Sequence, residues 1–408
     1  MKSVLYGECI NCGAAIPAAP DITICPHCGG LLDIKYDYPA IARGFNREVL
    51  AQRRDNTMWR YRELLPIEDN SLLPPLRVGG TPLYPCQRLA GLLGIAKLYT
   101  KDEGVNPTAS MKDRASAMAI VKAQEGGYQR IACASTGNAA SSLAGAAAAC
   151  CLQSFIFVPE RAPKGKIAQL LIFGAKVMSV KGNYQDAFRL SAAAINHWGW
   201  YNRNAAINPY MLEGKKTVSM EIAEQLNWQI PDWVAVSVGD GCTIAGIWKG
   251  FTDLYQTGFI PRLPRLLSVQ AEGCCPINTA FSTGQPLQPQ AENTLADSIA
   301  VGMPRNGLKA LNALAQSRGA AVNVSDKQIL AAMRLLGRTC GIFGEPAGVA
   351  ALAGVEKAIK LGIIQATETV VHIVTGNGLK DVVNGIKAAG EPLSVTTDLE
   401  QLKQLLNT

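Results

Sequence analysis

The sequence has no long uninterrupted hydrophobic run. Its longest weakly polar stretch, Ala139 to Val158, is broken by Ser141, Ser142, Gln153 and Ser154. It reads better as a small-residue helix followed by a buried strand than as a membrane span. Charged residues are few, 17% against 48% hydrophobic, the profile of a packed globular enzyme and not of a disordered chain. The net charge of +7 is mild for 408 residues. No basic cluster is interleaved with aromatics, so nucleic acid is not the expected partner; the balance suits a phosphorylated or carboxylated ligand. No secretory leader is expected from the N-terminal residues. Eight of the twelve cysteines stand singly or as Cys150-Cys151 and Cys274-Cys275, which reads as free thiols in a reducing cytoplasm.

The other four cysteines form two knuckles, Cys9-Ile10-Asn11-Cys12-Gly13 and Cys25-Pro26-His27-Cys28-Gly29. Four thiolates at this spacing predict a tetrahedral zinc site, with iron as the alternative among thiolate-preferring metals. Such a site is closed, so its role is structural: it staples a segment, residues 1–35, too small to build a core alone. His27 is expected to be exposed.

The chain is organised around Asn106-Pro107-Thr108-Ala109-Ser110-Met111-Lys112-Asp113-Arg114. Asn-Pro disfavours helix before the turn, Ser110 is the expected cap, and a helix over Ala115 to Ala123 ends at Gly126-Gly127. Lys112 then stands at a helix entrance, where the dipole and partial desolvation favour the neutral amine that condenses with an aldehyde. Downstream, Ile131 to Ala134 predicts a strand, Ser135-Thr136-Gly137-Asn138 a turn, and Ala139 to Ala149 a helix whose N-terminus offers N–H groups and hydroxyls to an anion. The same unit recurs at Val234 to Val238, Gly239-Asp240-Gly241-Cys242-Thr243 and a helix from Ile244 to Phe251. Its glycines let the backbone close around a phosphate. The glycine spacing fails the dinucleotide fingerprint. Further short apolar strands are expected at Leu98–Lys101, Phe155–Pro159, Lys176–Val180, Trp198–Tyr201, Leu266–Gln270, 322–326 and Thr369–Val374. Helices are expected over Lys164–Phe173 and Lys327–Leu336, and irregular chain over Glu272–Val301. Alternating strands and helices of this kind predict an α/β architecture with parallel sheets covered on both faces.

The lysine phrase resembles that of pyridoxal-phosphate enzymes with the tryptophan synthase β-type fold, and is most similar to the threonine synthase family, whose pattern reads Asn-Pro-Thr-Gly-Ser-Phe-Lys-Asp-Arg-Gly. This chain departs from it at Ala109, Met111 and Ala115. Gly79-Gly80-Thr81-Pro82-Leu83, Asn208-Pro209…Leu212-Glu213-Gly214…Lys216-Thr217, Glu345-Pro346-Ala347 and Thr375-Gly376-Asn377-Gly378-Leu379-Lys380-Asp381 resemble further family phrases, with Asn377 in place of a histidine. The resemblance implies pyridoxal-phosphate fold type II: two doubly wound sheet domains with an N-terminal zinc-ribbon-like extension. It divides the chain into the ribbon (1–35), wrapping helices and a linker (36–75), the catalytic body (76–390, its smaller domain inserted at about 110–190) and a tail (391–408) expected to dock on the surface.

It also implies roles. Lys112 would be the catalytic lysine, bound to pyridoxal 5'-phosphate. Ser135, Thr136, Gly137 and Asn138 would hold the substrate carboxylate, with Asn138 also at the cofactor's ring hydroxyl. Gly239, Asp240, Gly241, Cys242 and Thr243 would hold the cofactor phosphate, Asp240 turning its carboxylate away, and Thr375 would hydrogen-bond the ring nitrogen. Thr294 to Ile299 is expected to close over the site. The implied reaction is that of a carbon–oxygen lyase in threonine biosynthesis: O-phosphohomoserine and water give threonine and phosphate, in a cytoplasmic homodimer. The family's substrate-phosphate arginine, serine and asparagine appear here as Met211, Ala206 and Thr243, leaving Arg161, Lys164, Lys166 or Arg203 to supply charge. The alternatives are β-elimination or β-replacement on O-phosphoserine, as in cysteate synthase, or a dehydratase-like reaction on threonine or serine. A catalytically silent zinc-ribbon binding protein is the reading from another class, and the intact Lys112 with three cofactor loops argues against it.

Overall fold

The computed structural model describes residues 3–161, 164–204 and 206–406, and only the backbone of 164–166. Three antiparallel strands, Val4–Cys9 (β1), Ala15–Ile16 (β2) and Leu32–Tyr36 (β3), form a small sheet in the order β2-β1-β3. Period-two alternation in β3 turns Leu32, Ile34 and Tyr36 inward. Cys9 pairs with Leu32 across it. The sulfur atoms of Cys9, Cys12, Cys25 and Cys28 all lie within 4.8 Å of one another. Among the described residues their buried apolar company is Ile16 and Leu32, with Ala14 and Ile22 partly buried, so the segment has almost no core of its own.

Among the described residues the body carries ten strands: Leu83–Pro85 (β4), Lys97–Asp102 (β5), Arg130–Ala134 (β6), Gln153–Pro159 (β7), Lys176–Val180 (β8), Tyr201–Asn202 (β9), Trp233–Ser237 (β10), Arg265–Ala271 (β11), Ala320–Val324 (β12) and Thr369–Val374 (β13). They make a six-stranded sheet, β12-β11-β10-β13-β5-β4, and a four-stranded one, β8-β7-β6-β9. Every pairing is parallel except that of the edge strand β4. The chain leaves the larger sheet after β5, builds the smaller sheet, and returns at β10. β10 is buried along its whole length, as a central parallel strand covered on both faces must be. The loops after β6, β10 and β13 all leave carboxyl ends of parallel strands, where open α/β sheets place ligands.

Four expectations are corrected. Trp198 is not strand: the helix Tyr184–Trp198, started by an Asn183–Asp186 capping box, runs until Gly199 at φ +62° ends it. The connection after β11 is not wholly irregular, since Pro276–Thr283 is a helix with proline in its first turn and Gly284 at its end. Ser110 does not cap; Met111 holds the cap position with helical angles, and Ser110 bridges to Gly376. The tail helix Leu399–Leu406 buries nothing, with Leu399 60% and Leu406 68% exposed. No helix of the described residues is long and apolar enough to cross a membrane.

Candidate active site

Lys112 is the first residue of the helix Lys112–Glu125. Its approach is fixed from several sides. Asn106 Oδ1 accepts from the Gly79 amide at 3.0 Å, and its amide group donates to Glu103. Ala109 stands at φ +63°, a left-handed position that costs an alanine about 1–2 kcal/mol and that the family fills with glycine. Asp113 accepts from Thr108 N at 2.8 Å and Thr108 Oγ1 at 2.6 Å, tying loop to helix. Met111 N donates to Thr375 O at 2.9 Å, which sets the lysine turn against the end of β13. Behind it Arg114 is fully buried between Glu103 (2.7 Å) and Glu221 (2.6 Å).

The Lys112 side chain is half-buried in the wall of a cavity of about 630 Å³. Burial, and then the positive charge of Lys215, brings its amine down to about 8; Arg203 adds to this, and Cys242 and Glu345 oppose it.

The cavity brings together Lys112, Ser135, Thr136, Gly137, Asn138, Gly239, Asp240, Gly241, Cys242, Thr243 and Thr375. Gly137 precedes the helix Asn138–Ala149 with no side-chain cap, and Gly241 precedes Cys242–Gln256 likewise. First-turn amides at both ends are therefore open to an anion. The second loop is a cradle that side chains would fill. A Cβ on Gly239 would lie 2.9 Å from Ile299 Cα, and one on Gly241, at φ +85°, 2.8 Å from Asn306 O. Asp240 is engaged from the far side, its Oδ1 accepting from Arg305 N at 2.7 Å. A phosphate with an aldehyde-bearing ring fits this set: bare amides at one end and a depressed lysine amine within the same cavity. The four-sulfur cluster likewise has the donor chemistry of a closed, thiolate-preferring metal site.

Thr294 and the residues from Asp297 to Val301 line the same cavity. Met211, Ala206 and Thr243, all uncharged, line it too. Of the charges named as substitutes, Arg161 is exposed and not part of the wall, Arg203 is part of it, and the side chains of Lys164 and Lys166 lie outside the described residues. Two wall residues, Glu345 and Lys215, lie in or beside phrases singled out in the sequence but were given no role there. Glu345 accepts from Asn138 Nδ2 at 2.7 Å, and burial, then the charge of Asp297, lifts its carboxyl to about 7. Lys215 lies one residue past the Leu-Glu-Gly phrase; its only local signal was a second lysine beside Lys216. The ribbon also reaches the cavity through Leu32, whose carbonyl accepts from Lys309 Nζ at 2.6 Å.

Residues 75–376 match the family described as pyridoxal-phosphate dependent enzyme. The chain is 43% identical over 402 residues to a threonine synthase of Methanocaldococcus jannaschii, covering 98% of each. It is 41% identical over 402 residues to one of Methanosarcina acetivorans, again covering 98% of each. Among solved structures, diaminopropionate ammonia lyase from Escherichia coli superposes with a TM-score of 0.66 at 19% identity, covering 84% of this chain and 92% of that one. A threonine deaminase from Solanum lycopersicum gives 0.65 at 22%, covering 76% and 87%. At those identities the likeness is one of fold.

Proposed function

The chain belongs to the threonine synthase family of pyridoxal-phosphate-dependent enzymes, and we propose that it converts O-phosphohomoserine and water to threonine and phosphate. The observation that carries this reading is the convergence of Lys112, the two uncapped helix ends and Thr375 on one cavity. In this proposal the amides of Gly239 to Thr243 hold the cofactor phosphate, and the Lys112 amine is the point of covalent attachment. Thr375 would offer a neutral hydroxyl to the ring nitrogen, and Asn138 its amide to the ring hydroxyl. When bound, pyridoxal phosphate supplies the electron withdrawal that acidifies the substrate α-carbon.

The chain's own groups do the rest. The Ser135–Asn138 loop takes the α-carboxylate with amides and hydroxyls. With the cofactor bound, the Lys112 amine, already poised near neutrality, would take and return protons along the substrate's carbon chain. Residues Thr294 to Ile299 close the cavity and limit water to the molecule that adds at the β-carbon.

Zinc on Cys9, Cys12, Cys25 and Cys28, a cytoplasmic homodimer, and the division into ribbon, wrapping helices, catalytic body and tail belong to the same proposal. Incubating the purified protein with O-phosphohomoserine and measuring threonine and phosphate in equal amounts tests it; no product from that substrate rejects it. The uncharged trio Met211, Ala206 and Thr243 favours one second reading, a β-elimination or β-replacement on O-phosphoserine, which the same assay with that substrate separates.

A further inference from the structure

Arg203 and Lys215 are buried cations that face the cavity, 2% and 6% exposed, and neither forms an ion pair among the described residues. Arg203 leaves the end of β9, its amide donating to Ala132 O at 2.9 Å. Its Nε and Nη2 both donate to Ser116 Oγ, at 3.2 and 3.1 Å. Ser116 lies one turn beyond Lys112 and its Oγ is 2.7 Å from Ser142 Oγ. One edge of the guanidinium is thus pinned beneath the lysine helix by a neutral hydroxyl, while Nη1 has no protein partner among the described residues. Lys215, on the helix Tyr210–Gln225, has no hydrogen-bond partner among the described residues.

Lys112 aside, the other cations of the wall are engaged. Lys309 pairs with Asp33 at 3.2 Å, and the Arg305 guanidinium stacks 4.1 Å from the Phe188 ring centre. None of the wall's four acids pairs with Arg203 among the described residues: Asp240 accepts from Arg305 N, Glu292 from Gly302 N, Glu345 from Asn138 and Asp297 from Ser298 Oγ.

Buried charges without counter-charges are costly, and a ligand that supplies them gains what the empty pocket lacks. The ligands proposed above bring two anionic groups with places already assigned. The cofactor phosphate goes to Gly239–Thr243, where Lys215 lies close enough to act on Asp240 and Cys242. The α-carboxylate goes to Ser135–Asn138. Arg203 is left over.

We propose that Arg203 clamps a phosphate ester on the substrate side chain, performing from the end of β9 the task for which Met211 has no charge. A pinned, planar guanidinium with a free edge suits two phosphate oxygens, and a lysine there would act only as a point charge. This rests on the reading of the site as a pyridoxal-phosphate centre and deepens it: the substrate is a phosphomonoester, not a free hydroxy amino acid.

The test uses protein loaded with pyridoxal phosphate, so that the cofactor's own phosphate place is filled. Calorimetric binding of inorganic phosphate and of L-homoserine, with KM and kcat for O-phosphohomoserine and O-phosphoserine, is compared across variants. Arg203→Met is expected to weaken inorganic phosphate, and to raise KM for the phosphorylated substrate, by about 10- to 100-fold, with L-homoserine binding unchanged. Met211→Arg added to Arg203→Met is expected to recover phosphate binding. Unchanged phosphate affinity in Arg203→Met, or an equal loss for L-homoserine, overturns the clamp. If Arg203→Met fails to load cofactor, Arg203→Lys carries the test: a several-fold weaker phosphate supports the clamp and an unchanged one overturns it. Arg203-dependent phosphate binding without turnover of O-phosphohomoserine keeps the clamp and rejects the reaction. Turnover with a KM indifferent to Arg203 does the reverse.

Discussion

Asn138 and Glu345 join across the cavity through a hydrogen bond of 2.7 Å, one from the helix after β6 in the smaller sheet, the other from the cap of Pro346–Lys360 against the larger. Glu345 is held near 7, above its ordinary 4.5, by burial first and then by Asp297. Between those values the folded protein binds a proton that the unfolded chain has released. This contribution to stability is present below about 4.5 and is lost as pH rises through 7. In cofactor-free protein Glu345→Gln is expected to remove that slope, gaining stability over wild type at pH 8 relative to pH 5 by up to roughly 2–3 kcal/mol. Urea titrations at the two pH values measure it, and parallel curves for both proteins contradict it.

Lys112 carries a kinetic prediction. With the amine at about 8 instead of 10.5, its neutral fraction at pH 8 is about half, where an ordinary lysine has less than one part in a hundred. The rate at which cofactor-free protein recaptures pyridoxal phosphate is expected to rise with pH and level off above about 8. Lys112→Ala is expected to abolish the cofactor's visible absorbance while leaving the circular dichroism intact. A variant that keeps the band shows that another amine is used.

Arg114 sits with zero exposure between Glu103 and Glu221, and Lys101 alone shares their charge at 2.7 Å from Glu221. Removing the guanidinium strands buried carboxylates. Arg114→Met is expected to cost about 3–5 kcal/mol, read from denaturant midpoints, whereas a loss under 1 kcal/mol would show the pair to be dispensable.

Two backbone positions predict opposite outcomes from the same pair of residues. Gly241→Ala meets Asn306 O at 2.8 Å with φ +85°, so the cradle must open; cofactor affinity is expected to fall at least about 10-fold by fluorescence titration. Ala109→Gly relaxes a left-handed alanine at φ +63° and is expected to raise stability by about 1 kcal/mol, seen as a higher Tm.

Much of this was legible where local pattern decides structure. Lys176–Val180 and Thr369–Val374 are apolar runs with turn residues at their ends, and both strands occupy those residues. Asn106-Pro107 and the residues around Lys112 name a turn and a helix start with no tertiary information. Trp198 misled because Trp-Gly-Trp-Tyr has high strand preference, while the helix before it was already committed to reach Gly199. Pro276–Thr283 was lost because its apolar residues, Ile277, Ala280 and Phe281, span little more than one helical turn and its proline marked a loop as readily as a first turn. Glu345, Lys215 and Arg203 become neighbours only because strands distant in sequence end at one cleft. No spacing rule records that convergence, and the same is true of the three-way burial of Arg114, Glu103 and Glu221.

The ribbon leaves the ribosome before the body that supports it. Leu32 O waits for Lys309, 277 residues on, and Tyr36 OH for Glu213, 177 residues on, at 2.5 Å. At roughly 5–20 residues per second that is many seconds in which a sheet with scarcely any interior has nothing to lean on. If Cys9, Cys12, Cys25 and Cys28 close on one ion as proposed, they give the sheet a shape to keep during that interval, and the metal then matters most while the enzyme is still being made.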